Sequence, residues 1–214
     1  MGRYTGPVCR LCRQVGEKLF LKGARCYTPS CAFDKRRRAP GAQRQTGAQR
    51  PTRRRLSEYG VRQREKQKLR YTFGLLERQF ARNVAEAQRQ PGITGQYLVQ
   101  LLERRLDNVV FRLGFAESRN HARQLVGHGH VTVSGRKMDI PSFILKVGDV
   151  IGWKPSSKEK DFIKAKMAEG SRQQVPVWLS VDPGAMEGKV LALPQAGDTD
   201  ITMDLRLIVE YYSR

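Results

Sequence analysis

The segment Leu98–Ile151, LVQLLERRLDNVVFRLGFAESRNHARQLVGHGHVTVSGRKMDIPSFILKVGDVI, decides the fold. Leu98, Leu102, Leu106, Val109 and Leu113 recur at helical spacing and predict one helix with a single apolar stripe, ended by Gly114. Ser118 predicts the N-cap of a second, short helix in which Ala122, Leu125 and Val126 face inward. Its opposite side offers Asn120, Arg123 and Gln124, with Arg119 on the flank. Val131 and Val133 then alternate into a Ser134-Gly135 turn followed by Arg136 and Lys137. Arg104, Arg112, His128 and His130 enlarge the polar set. Such residues on one side of a small unit suit phosphates and nucleotide edges, against the plainer reading of a solvated face.

The charge outside this unit points the same way. The 214 residues carry 40 Lys and Arg against 20 Asp and Glu, a formal charge of +20. The excess is uneven: residues 1–90 hold 23 basic and 6 acidic side chains, residues 91–214 hold 17 and 14. A field this one-sided favours a polyanion, whose condensed counterions are released on binding. No apolar run approaches the ~20 residues that span a bilayer, and no signal peptide is apparent, so a membrane partner is not expected.

All four cysteines lie in the first 31 residues, as Cys9-x2-Cys12 and Cys26-x4-Cys31. Two close pairs joined by a short loop can place four thiolates tetrahedrally about 2.3 Å from one metal ion. Arg10, Arg13, Lys22 and Arg25 are expected to lower the thiol pKa values. Disulfides need an oxidising compartment, and this chain reads as cytosolic. One structural zinc ion is expected, with an iron–sulfur cluster as its competitor. It would fold a segment too small for a core of its own.

From Ala39 to Arg55, APGAQRQTGAQRPTRRR has no large apolar residue and is expected to order only against an anionic surface. Ser57 predicts a helix through about Arg70 bearing Arg62, Arg64, Lys66, Lys68 and Arg70. Only Glu58 and Glu65 share that window, so intrahelical pairing leaves cations over and a phosphate-facing role is expected. Leu69, Phe73, Leu76, Phe80 and Val84 continue inward with a break at Gly74; Thr94 predicts a further cap. Ser157 predicts a helix containing Phe162, Ile163 and Met167, ended by Gly170. From Val181 to Arg214 six acidic residues face three basic ones, so this end is expected to pack on the helical middle. The stretches around Trp178, Val190–Leu193 and Leu205–Val209 read as short buried strands or segments returning to the core.

Other signals are weaker. His121, His128 and His130 lack a neighbouring carboxylate in sequence, which disfavours catalysis. Gly184-Ala-Met-Glu-Gly188-Lys189 is one residue short of a phosphate loop and lacks its Ser or Thr, so it reads as a turn between strands. No G-x-S-x-G nucleophile motif occurs.

The order RRLDNVVFRLGF, SRNHARQLV, GHV-V-GRK and KVGDVI resembles the RNA-binding module of ribosomal small-subunit protein four, also found in some pseudouridine synthases and bacterial tyrosyl-tRNA synthetases. MGRYTGPVCRLCR, LSEYGVRQREKQKLRYTFGLLERQF and VEYYSR extend the resemblance over nearly the whole chain, in its cysteine-bearing branch. Where that family commonly reads PPGQHG, this chain has the longer arginine-rich segment above. The resemblance implies a mainly helical α+β protein with a four-cysteine metal knuckle, a helical domain, and the RNA-binding module inserted in it. The corresponding ranges are 1–45 for the metal-binding segment and basic linker, 46–97 completed by 157–214, and 98–156 for the module. It further implies a non-enzymatic constituent of the small subunit, located in the ribosome in the cytoplasm. That protein would bind the junction in the 5′ domain of small-subunit rRNA, nucleate assembly, and lie where mRNA enters, beside small-subunit proteins three and five. Metal ligands would be Cys9, Cys12, Cys26 and Cys31. RNA contacts would come from Arg3, Arg10, Arg13, Arg36, Arg50, Arg53, Arg54 and Arg55, the helix cations 62–70, and the module residues named above. No small-molecule substrate is implied. Two rivals use the same features: an RNA-modifying enzyme or translational regulator with this module, and a zinc-dependent DNA-binding regulator. The enzyme lacks length for a catalytic domain; the DNA-binding protein lacks a recognition helix or dimerising seam.

Overall fold

The computed structural model describes residues 4–36, 40, 56–161, 163, 174–195, 197 and 203–213. It has two compact units, Met1–Val84 with Thr202–Arg214, and Ala85–Ile201. Most of the expected helix after Ser157, including Phe162, Met167 and Gly170, lies outside the described residues, as does most of 39–55.

In the first unit, α1 (Cys9–Val15), a 3-10 turn (Gly23–Tyr27) and α2 (Ala32–Lys35) enclose a small core of Cys12, Val15 and Leu19, packed by Leu21, Phe33 and Tyr71. Helix α3 (Glu58–Thr72) is capped by Ser57, whose Oγ accepts from the Gly60 N–H at 3.2 Å. It ends before Gly74, at φ 62, as the sequence predicts, and α4 (Glu77–Arg89) follows. The chain end is not strand but helix, α9 (Leu205–Tyr212), and it packs on α3. Leu69, Phe80 and Ile208 have no exposed surface. Around them Tyr59 and Tyr211 share a hydroxyl hydrogen bond of 3.1 Å, and Arg62 donates to Glu210 at 2.9 Å. Lys66 Nζ donates to Glu77 Oε1 at 2.8 Å, and the Tyr212 hydroxyl donates to the same oxygen at 2.6 Å.

In the second unit the expected single helix 98–113 is two: α5 (Thr94–Glu103) and α6 (Leu106–Arg112). Backbone pairing breaks it. Leu145 N–H donates to Arg104 O at 2.9 Å and Leu106 N–H to Phe143 O at 2.9 Å, so Arg105 turns extended, with ψ 137. The four leucines and one valine of the stripe are buried all the same. Ile93, not Thr94, is the α5 cap residue, and no side chain caps it. Ser118 caps α7 (Arg119–Gly127) by accepting from His121 N–H at 3.2 Å.

Strands β1 (Val131–Val133), β2 (Arg136–Lys137), β3 (Val150–Trp153), β4 (Leu179–Asp182) and β5 (Glu187–Val190) form an antiparallel sheet of order β2-β1-β3-β5-β4. Ser134 and Gly135 both have positive φ, 47 and 78, which suits the twist of a two-residue hairpin. Short α8 (Pro155–Lys158) starts after Lys154, whose side chain makes no cap hydrogen bond, so Ser157 lies inside the helix and not at its start. Ile151 pairs with Gly188, and a Cβ there would meet Leu113 Cδ1 at 2.6 Å; the close approach requires glycine. This pairing draws residues 179–190 into the second unit, whereas the sequence reading gave 157–214 to the helical domain and ended the module at 156. The Gly184–Gly188 stretch supplies the end of the β4–β5 turn, residues 183–186, and the start of β5, with Gly184 and Ala185 N–H groups donating to Asp182.

Polar groups also cross this core. Glu103, with no exposed surface, accepts from Arg112 Nη2 at 2.8 Å and Asn108 Nδ2 at 2.6 Å. Asn108 Oδ1 in turn accepts from Arg119 Nε at 2.8 Å. Asp107, almost as buried, receives both Arg105 and Arg123. Removing one partner strands the other in low dielectric, where Coulomb loss is not repaid by water. Glu103→Ala is therefore expected to destabilise by about 3–5 kcal/mol, at or above the ~2–5 kcal/mol of Leu106→Ala, by chemical denaturation.

Acid should loosen the α3–α9 contact. Burial pulls the Glu77 carboxyl up, but hydrogen bonds from Lys66 and Tyr212 and the charges of Lys66 and Arg70 outweigh it and hold it below its ordinary value. A depressed carboxylate stabilises the fold fully above its unfolded pKa, about 4.3, and ceases to as pH falls through the lower folded value. Tyrosine near-ultraviolet dichroism should thus change in that acid window, and Glu77→Gln should remove the step.

Candidate nucleic-acid interface

The structure divides the expected RNA-contacting residues into two groups. Lys66 and Lys68 are buried and neutralised: Lys66 by Glu77 from outside α3, and Lys68 by Glu17 at 2.6 Å, also from outside, together with Glu65 on α3 itself. Arg62 and Arg70 are half-buried and reach Glu210 and Glu77, while Arg70 also lies 4.8 Å from the centroid of the Tyr71 ring. The sequence argument that α3 keeps unpaired cations counted only the helix's own carboxylates. Of that set Arg64 remains exposed, beside Gln63 and Gln67 at a cleft of about 200 Å³ completed by Gln14, Val15, Gly60 and Tyr71.

The module sorts in the same way. Arg112 and Arg123 are buried in the ion pairs above, so Arg123 does not stand on the outer face of α7 as expected. Arg104 is half-buried and donates to Leu145 O at 2.8 Å. Arg119 lies 4.6 Å from the Phe111 ring centroid, tied to Asn108. Asn120, Gln124, His128, Arg136 and Lys137 are exposed. The last two come to the end of α7, because the Lys137 side chain lies against Gly129. His130 is half-buried, its Nδ1 3.0 Å from Ser157 Oγ. Burial, then the charges of Lys160, His128 and Lys154, push its pKa below the ordinary value. Exposed here is a short polar patch made by the α7 end and the β1–β2 hairpin.

One basic ridge escaped the sequence reading. Phe80, Val84 and Ala87 face inward from α4, which leaves Arg78, Arg82 and Arg89 exposed within about 40° of one another around the helix. The buried face follows i, i+4, i+7 spacing and the arginines follow i, i+4, i+11, which returns to the same side of the helix; Arg89 also lies 3.4 Å from Glu86.

At the chain start, Arg10 and Arg36 are exposed, and Arg13 is half-buried with its Nε enclosed and unpartnered among the described residues. Arg3, Arg50, Arg53, Arg54 and Arg55 lie outside the described residues. The four cysteines are unpaired; Cys12, Cys26 and Cys31 are buried and Cys9 half-buried. Burial pushes the Cys12 and Cys26 thiols up, and neighbouring cysteines push them further. The expected lowering by Arg10, Arg13, Lys22 and Arg25 is not what dominates; Lys18 is the cation that acts on Cys26. Leu19 and Lys22 N–H groups donate to the Cys12 and Cys26 sulfurs. Among the described residues no three or more His, Cys, Asp or Glu side chains stand as a ready metal shell. Nor is any described helix long and apolar enough to cross a membrane.

Comparison with known proteins covers the whole chain. Residues 3–103 match the family described as ribosomal protein S4/S9 N-terminal domain, and residues 104–151 match the S4 domain. The small ribosomal subunit protein uS4 of Desulfitobacterium hafniense is 53% identical over 214 residues, covering all of both chains. Those of Heliobacterium modesticaldum and Thermus thermophilus are 54% and 49% identical, again over the full length of each. Two matching domains in order, together with near-half to half identity from end to end, place this chain in the uS4 family of small-ribosomal-subunit proteins.

Proposed function

We propose that this chain is a structural, non-enzymatic constituent of the small ribosomal subunit, working in the cytoplasmic ribosome and binding its rRNA directly. The carrying observation is the full-length identity with uS4 proteins from several bacteria. The sorting of charge supports it. Internal cations are matched by carboxylates, while Arg64, Arg78, Arg82, Arg89, Gln124, Arg136 and Lys137 stand outward for phosphates. Double-helical RNA hides its base edges in a deep groove, so shape and backbone contacts on a folded target fit this surface best. The 5′-domain junction is the proposed target, with early assembly as the role, and mRNA with small-subunit proteins three and five as neighbours. A multi-helix junction from small-subunit rRNA should outcompete a hairpin of equal length and charge; equal affinity in one salt buffer overturns the reading. Arg136→Ala with Lys137→Ala, and Arg82→Ala, should each weaken junction binding and reduce the slope of log affinity on log salt by about 0.7–0.9 per lost contact. Their thermal midpoints should stay near wild type. Arg123→Ala should instead lower the midpoint, since it leaves buried Asp107 short of a partner.

A single structural zinc ion on Cys9, Cys12, Cys26 and Cys31 belongs to the same proposal. The donor set suits it: four thiols, three of them buried, whose charges act on one another, with backbone N–H groups already aimed at two sulfurs. When bound, the ion would supply cross-linking to a segment whose core is only three residues deep. Elemental analysis should give about one zinc per chain, lost on Cys→Ser at any of the four positions. Iron with sulfide would keep the ligands and change the ion, and metal-free protein with this segment folded would refute the site.

A further inference from the structure

The cysteine-bearing segment holds an aromatic pair that neither its core nor the polar interface uses. Leu19 and Leu21 turn into the small core, and Phe20 between them turns out, 41% exposed. Its φ is 50, a left-handed conformation that a bulky side chain adopts only under strain. The ring stacks on Tyr27, 63% exposed, with centroids 5.0 Å apart and planes 26° from parallel. Tyr27 is itself held outward at the end of the 3-10 turn, next to buried Cys26. Folding alone favours burying such rings or relaxing the backbone that displays them.

The surroundings are cationic. Residues 17–36 contain Lys18, Lys22, Arg25, Lys35 and Arg36 against Glu17 and Asp34. Both carboxylates are occupied, Glu17 by Lys68 and Asp34 by Lys18 at 2.7 Å. Lys18 Nζ also lies 5.6 Å from the Phe20 ring centroid, while Lys22 and Arg25, close in sequence to the two rings, are exposed. Stacked aromatics flanked by cations are how proteins hold unpaired nucleotides, with the base on the ring face and the phosphate on the cation.

We infer that Phe20 and Tyr27 form a stacking platform for one unpaired base of the bound RNA, its phosphate met by Lys22 and Arg25. The platform rests on the rRNA-binding reading and adds to it a single-stranded element that shape recognition of helices does not supply. The charge favours RNA over an apolar protein surface.

The test uses full-length protein and a small-subunit rRNA junction carrying 2-aminopurine at each unpaired position in turn. One position should lose fluorescence when the protein binds. Tyr27→Ala and Phe20→Gly should abolish that quenching and weaken binding roughly 5- to 100-fold, and Tyr27→Trp should restore both. The salt slope should not change, because stacking releases no counterions. Phe20→Gly should leave the thermal midpoint unchanged or raise it, since glycine takes a left-handed φ freely. Binding without quenching at any unpaired position overturns the platform, as does wild-type affinity in both variants. A midpoint that falls with affinity in both variants assigns the rings to folding and also overturns it. Variants with full RNA affinity that fail to enter small subunits would assign the rings to a protein neighbour instead. Wild-type protein that fails to bind the junction overturns the rRNA reading itself.

Discussion

Glu103 holds its carboxyl group inside the second unit with no exposed surface, and the polar contacts it makes tie α5, α6 and α7 together. Arg112 and Asn108 converge on it, and Asn108 passes the constraint to Arg119 at the start of α7. The orientation of α7 against α6 is thereby fixed by polar geometry as well as by Leu125 and Val126. A leucine in place of Glu103 would satisfy volume alone; it would remove the carboxylate on which Arg112 and Asn108 converge and loosen this tie to α7. Asp107 repeats the device with Arg105 and Arg123, so four arginines of a basic module serve its interior.

That arrangement explains what the sequence could and could not show. The apolar stripe, the Ser118 and Ser57 caps, the Ser134-Gly135 hairpin and the β4–β5 turn were legible because each depends on neighbours a few residues away. The break at Arg104–Arg105 was not, since it is imposed by backbone pairing with residues 143–145. Nor was α9, whose Leu205, Leu207 and Val209 alternate like a strand, while its helix is held by Asp204 capping Arg206 N–H and by packing on α3. The candidate interface was half legible. Residue type announced a polyanion partner, but which cations point outward depends on Glu17, Glu77, Asp107 and Glu210, all remote from most of the groups they neutralise.

The result is a division of labour among chemically identical side chains. Carboxylates are scarce in the first 90 residues, and those of α3's neighbourhood are spent on holding helices together rather than on screening the surface. Arg64, Arg78 and Arg82 stand outward beyond these pairs, whereas exposed Arg89 lies 3.4 Å from Glu86. In the cysteine segment the same economy leaves Lys22 and Arg25 exposed while Lys18 and Lys68 are tied down. The basic character of the chain thus reflects where its few acids sit as much as how many bases it has.

The sheet order β2-β1-β3-β5-β4 has a consequence for the chain as it is made. On a ribosome, β1, β2 and β3 emerge first, and the outer edge of β3 stays open until Val190 follows Trp153 out. At roughly 5–20 residues per second that interval is about two to seven seconds. During it, Val150 and Ile151 present unsatisfied backbone groups on an unprotected strand, an invitation to pair with another nascent chain. Completion of the β4–β5 hairpin, through the turn at residues 183–186, covers that edge and closes the interval.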